Sequence, residues 1–220
     1  MAGEFRDYKR EVARRVFAQE FRESDLFFKE SEEEFAPNYL ITPTGAKCNR
    51  VFIVGVLTEK DNIGEEVDYW RGRVADPTGA FYVYAGQYQE EAARALADIE
   101  PPEFISVVGK VSVYEPEGGD GTKLNSIRAE SINVVDANTR DRWVIDTARH
   151  TIKRLNALNL DSKDEVIKKA IDHYSPIKSH YKIMVLEALE SLKESEMDKP
   201  DEEVVWDDIY KEEEIDLSNQ

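Results

Sequence analysis

The chain has 220 residues, 41% of them hydrophobic and 34% charged, and a net charge of −17. That length suits one domain of ordinary size with appendages, and the hydrophobic share is enough for one buried core. The acidity excludes a uniformly basic nucleic-acid binder, the single cysteine (Cys48) excludes an internal disulfide or a cysteine-cluster metal site, and no run of ~20 apolar residues is available to span a membrane.

Charge is unevenly spread. Residues 48–136 carry 8 basic and 16 acidic side chains, residues 137–193 carry 11 and 8, and residues 194–220 carry 2 and 12. Charges are screened beyond about 8–10 Å at physiological salt, so an acidic tail leaves room for a basic groove elsewhere. Residues 1–7 lead into charged positions rather than an apolar stretch, so no signal peptide is expected. With Cys48 read as a small apolar strand residue, this fits a cytoplasmic protein.

In chain order, residues 5–23 read as a helix, because Val12, Val16, Phe17 and Phe21 recur at three-to-four spacing. Pro37 and Pro43 bracket a short extended segment, which completes a lead-in over residues 1–47. Residues 50–59 form an almost continuously apolar first strand with Gly55 inside it. Residues 68–76 and 79–85 form a hairpin on the turn Asp76-Pro77-Thr78-Gly79, where Gly79 is expected at positive φ. An alanine-rich helix over residues 89–98 ends at Pro101-Pro102. Residues 104–114 and 124–135 are the fourth and fifth strands. Three strands, a helix and two strands within residues 48–136 is the order of an OB-fold, whose oligonucleotide face comes from strands two and three and from the loops at 60–67 and 116–122. The expected class is mainly β with added α, a five-stranded OB barrel flanked by an N-terminal helix and C-terminal helices.

The hairpin carries the chemistry. Strand side chains alternate between faces. Trp70, Gly72 and Val74, with Phe81, Val83 and Ala85, close a core, while Tyr69, Arg71, Arg73, Tyr82 and Tyr84 share the opposite face. Stacking rings interleaved with cations suit single-stranded nucleic acid, because every base has a π-face and every nucleotide a phosphate. The competing reading is a set of half-buried sheet aromatics covered by another segment. Tyr88 adds a further ring, and Arg50 and Lys110 are expected near phosphates or the groove rim.

Residues 137–159 hold a long amphipathic helix with a stripe of Val144, Ala148, Ile152, Leu155 and Leu158. The stripe serves either the chain's own barrel or a partner helix. Residues 160–193 read as a helical hairpin broken at Ser175-Pro176. Residues 194–220 are an acidic, hydrophobic-studded tail expected to be disordered alone, in which Trp206, Ile209 and Tyr210 suit a partner's groove. No phosphate loop, dinucleotide fingerprint or serine nucleophile elbow is present, and His150, His173 and His180 lack ligand spacing. The expectation is a non-enzymatic protein without cofactor or metal.

Residues 69–88, together with Glu100-Pro101-Pro102, Val107-Val108-Gly109-Lys110, Arg128-Ala129-Glu130-Ser131-Ile132, Thr139-Arg140-Asp141-Arg142-Trp143 and the upstream residues 11–17, resemble the archaeal replication protein A-associated proteins. The likeness covers residues 5–158. It implies an OB-fold partner of the large subunit of a replication protein A-like single-stranded-DNA-binding protein, acting in replication and repair. In small subunits of that kind terminal helices bundle with their partners. The rival is an assembly or recruitment module that touches the large subunit and repair factors without touching DNA. An RNA-binding OB protein is the third reading.

Overall fold

The apolar run that opens at Arg50 forms a strand long enough to serve two neighbours. The computed structural model describes residues 11–29, 37–114 and 124–197. In chain order its elements are α1 (Ala18–Arg22), β1 (Leu26–Lys29), β2 (Asn38–Ile41), β3 (Lys47–Cys48), β4 (Arg50–Asn62), β5 (Trp70–Asp76), β6 (Gly79–Ala85), α2 (Glu90–Asp98), β7 (Glu103–Tyr114), β8 (Leu124–Val134), α3 (Ala137–Ala157), α4 (Glu165–Tyr174) and α5 (Lys178–Met197). The first half of β4 pairs with β7 and the second half with β5. The barrel closes in the order β4-β5-β6-β8-β7, which is the five-stranded OB-fold.

Alternation fills the barrel. Val51, Ile53, Leu57, Val74, Phe81, Val83, Val107, Ile127 and Ala129 point inward and are buried, and Ala92 and Leu96 of α2 join them. Two bulges adjust the ladder, one at Thr58 on β4 and one at Glu130 on β8. An inserted residue bends its strand and re-aims a side chain.

The N-terminal helix is shorter than its periodicity predicts. Of the helix expected over 5–23, residues 5–10 lie outside the described residues, and residues 11–17 are not helical. The Arg14 N–H donates to the Arg50 carbonyl at 2.9 Å, and the Phe52 N–H donates to the Arg14 carbonyl at 2.9 Å. The physical reason is an unfilled edge. β5 reaches only as far as Val56 along β4, so the backbone groups beyond it would go unpaired, and the N-terminal segment takes them up. Val16 and Phe17 then enter the core.

The start of α1 is set by the hairpin turn. Phe17, its N-cap, offers no side-chain acceptor. Asp76 Oδ2 instead accepts from the Ala18 N–H at 2.8 Å, and Thr78 Oγ1 accepts from the Gln19 N–H at 3.0 Å. Asp76 Oδ1 also accepts from Thr78 N–H, Thr78 Oγ1–H and Gly79 N–H. Burial pushes the Asp76 carboxyl up to about 6 against these four donors, which favour the anion. Gly79 has φ +155°, the positive value expected of it.

Three features lie outside the barrel. β1, β2 and β3 form a small antiparallel sheet, of which the sequence signalled only the middle extended segment. α3, capped by Asp136, lies on β4, where the Trp143 indole donates to the Phe52 carbonyl at 3.0 Å. The buried Glu20 carboxylate accepts from Arg154 at 2.9 and 3.1 Å and from the Thr44 hydroxyl at 2.5 Å, joining α1 to α3. The two helices read over residues 160–193 are α4 and α5, separated where Ser175 takes φ +44° before Pro176; they do not pair closely with one another, for α5 packs on α3 and α4 lies against β2. Tyr174 fastens α4 to the small sheet, donating to the Ile41 carbonyl at 2.8 Å.

The stripe offered to a partner helix is used inside the chain. Val144, Ala148, Leu155 and Leu158 are buried and Ile152 is half-buried, because α3 packs on β4 on one side and on α5 on the other. The pattern records burial, and here the chain itself supplies it.

Candidate nucleic-acid interface

Strand alternation fixes the face. With Val74, Phe81 and Val83 turned inward, Arg71, Arg73, Tyr82 and Tyr84 turn outward. The ladder pairs Arg71 with Tyr84 and Arg73 with Tyr82. Together with Glu59, Asp61, Leu124, Asn125 and Ser126 they line an open groove of about 340 Å³. Tyr82 is 46% exposed and Tyr69 is 44% exposed, while Tyr84 is half-buried.

Tyr69 and Tyr84 stack, with centroids 5.8 Å apart and planes at 23°. Gly86 makes this possible, since a Cβ there would sit 2.6 Å from Tyr69 Cδ2. Tyr88 is 87% exposed in the turn that leads to α2.

Electrostatics on this face are balanced rather than basic. Arg71 donates to Asp61 at 2.8 Å. Arg73 donates to Thr58 Oγ1 at 3.0 Å and lies 4.0 Å from the Glu59 carboxylate. Both carboxylates stand on β4 opposite the arginines they answer. Exposed pairs of this kind contribute about 0–1 kcal/mol, so an incoming phosphate can replace them at small cost.

Arg50 is not on this face. It is almost fully buried, its guanidinium bonds both oxygens of Glu130 at 2.5 and 2.7 Å, and its third contact is the Glu11 carbonyl at 3.1 Å. The bulge that leaves Glu130 unpaired in the ladder turns its carboxylate outward onto Arg50. Lys110 sits beside Arg50 on the barrel's outer surface, half-buried, outside the groove lining. Between Lys110 and Tyr84 the register places Arg128, exposed on β8 and absent from the sequence-derived set. Its signal was the alternation of Ile127 and Ala129 around it.

Trp206, Ile209 and Tyr210, and the 116–122 loop, lie outside the described residues. Among the described residues no group of three or more His, Cys, Asp or Glu is placed to hold a metal, and no helix is long and apolar enough to cross a membrane. Burial pushes the Cys48 thiol up to about 12, with Glu20 adding to the effect, so it carries no thiolate chemistry near neutrality.

The chain matches no family model and no curated protein. Among solved structures, a chain of the Schizosaccharomyces pombe Stn1–Ten1 complex superposes with a TM-score of 0.52 at 14% identity, covering 74% of this chain and 100% of that one. The second single-stranded DNA binding protein of Mycobacterium smegmatis gives a TM-score of 0.34 at 18% identity over 40% of this chain and 86% of that one. Rim1, a mitochondrial single-stranded DNA binding protein of Saccharomyces cerevisiae, gives 0.32 at 18% identity over 40% and 95%. At such identities the first likeness speaks to the fold.

Proposed function

We propose that this chain is a non-enzymatic OB-fold subunit that binds single-stranded DNA and acts in replication and repair beside the large subunit of a replication protein A-like complex. The observation that carries the DNA reading is the outward face on which Tyr82 and Tyr69 are exposed and Tyr84 is half-buried beside Arg71 and Arg73. The place in a complex follows from the resemblance to the archaeal replication protein A-associated proteins. Base–aromatic stacking contributes about 1–3 kcal/mol per base.

The test is a fluorescence-anisotropy titration of labelled poly-dT with this protein alone at low and moderate salt. Tight binding that weakens with salt is expected, and Tyr82→Ala with Tyr84→Ala weakens it by about tenfold or more. Unchanged affinity in a folded double variant removes those rings from the site. Competition between matched DNA and RNA oligonucleotides decides between the two polymers.

A second reading is favoured by the carboxylates of Glu59 and Asp61, which already neutralise the arginines. In it the chain is an assembly or recruitment module that contacts the large subunit and repair factors, through the tail residues Trp206, Ile209 and Tyr210, without holding DNA. Absence of poly-dT binding at tens of micromolar protein, with retention of the large subunit, is its signature.

A further inference from the structure

The barrel's register sets one outward residue of each strand in a single row. Asp61 on β4 faces Arg71 on β5, Arg71 faces Tyr84 on β6, Tyr84 faces Arg128 on β8, and Arg128 faces Lys110 on β7. Neighbouring strands lie about 4.8 Å apart, so the row is a continuous strip. Its two ends differ in charge. Arg71 is held by Asp61 at 2.8 Å. Arg128 is exposed and Lys110 half-buried, and among the described residues no carboxylate pairs with either. Glu130, two positions along from Arg128, is turned to Arg50 and bonded there through both oxygens.

We propose that a single strand bound on this barrel runs its phosphates over Arg128 and Lys110 and lays its bases toward Tyr84 and Tyr82. This rests on the DNA-binding reading above and adds the direction in which the polymer faces. A phosphate at Arg71 must first displace a carboxylate. A phosphate at Arg128 meets a guanidinium that no carboxylate of the described residues pairs with, one strand spacing from the ring on which its base stacks. Phosphate contacts release counterions, and each contributes about 0.7 to the salt slope for single strands.

The experiment is an anisotropy titration of the full chain with 5′-labelled dT15 over a series of salt concentrations. Arg128→Ala with Lys110→Ala is expected to weaken binding by about tenfold or more at ~0.1 M salt and to lower the slope by about 1.4. Arg71→Ala with Arg73→Ala lowers the slope by less than half as much. Arg128→Lys with Lys110→Arg keeps the wild-type slope, since charge and not shape is at stake. Thermal melting checks each fold, and Arg128→Gln with Lys110→Gln replaces the alanine pair if that pair melts early. A wild-type slope in the alanine or glutamine pair at Arg128 and Lys110 overturns the proposal, and so does a larger loss from the Arg71/Arg73 pair. Failure of the wild type to bind, or wild-type binding by Tyr82→Ala with Tyr84→Ala, overturns the DNA-binding reading of this face instead.

Discussion

Gly86 governs the shape of the aromatic platform although it carries no side chain. A Cβ there would stand 2.6 Å from Tyr69 Cδ2 and 3.2 Å from Cε2, so a methyl group forces that ring off Tyr84. Tyr69 is half in solvent and can swing away without disturbing the core. Gly86→Ala is therefore expected to lower poly-dT affinity by about fivefold, near the low end of one stacking contact, with little change in melting temperature. An equal loss of stability and affinity would point to barrel damage instead. The alternation at 69–76 and 79–85 made the tyrosines and two arginines legible in the sequence. Arg50 was not, because its fate depends on Glu130, 80 positions away, and on a bulge that no local pattern announces. Arg128 was half legible. Its outward direction follows from its neighbours, but its place beside Tyr84 needs a parallel pairing between strands distant in sequence.

At the scale of elements, the β5–β6 turn does two jobs at once. It reverses the hairpin, and through Asp76 and Thr78 it supplies the cap that α1 lacks. Asp76→Ala strands the N–H groups of Ala18, Thr78 and Gly79, and a buried unsatisfied group costs about 1–3 kcal/mol. A loss of about 2 kcal/mol in denaturant unfolding at pH 7 is expected, and a loss below about 0.5 kcal/mol would show that water takes over the cap. The same contact explains why the predicted N-terminal helix fell short. Of the periodic residues Val16, Phe17 and Phe21 become buried and Val12 stays exposed, and the periodicity is silent about an open edge on β4 that claims Arg14 as a strand partner. The barrel strands and the helices α2 to α5 were legible because turns, prolines and apolar runs bracket them locally, whereas the packing of α4 on β2 and α5 on α3 was not.

For the molecule as a whole, charge and burial follow different maps. The stripe on α3 read equally well as a seat for a partner, since amphipathicity states that a face is covered and not by what; the chain covers it with β4 and α5. Net charge of −17 repels a polyanion at long range, whereas in the proposed binding mode Arg128 and Lys110 would attract it locally. Truncation after Met197 removes 10 of the acidic and 2 of the basic side chains. The shortened chain is expected to associate faster with the oligonucleotide at ~0.02 M salt, and the advantage should shrink by 0.15 M, where the screening length is about 8 Å. Stopped-flow anisotropy reads this directly, and salt-independent rates would refute it. One last property of the barrel bears on the bound state. β6 and β8 close it over two paired residues, Val83 with Ile127 and Tyr84 with Arg128, whereas β7 and β8 share ten. Local opening begins where the fewest bonds must break, so opening of the barrel is expected to start at this seam. A nucleotide stacked on Tyr84 and ion-paired to Arg128 would bridge the two lips. The ligand is then a clasp as well as a cargo, and occupancy itself stiffens the barrel by binding only its closed form.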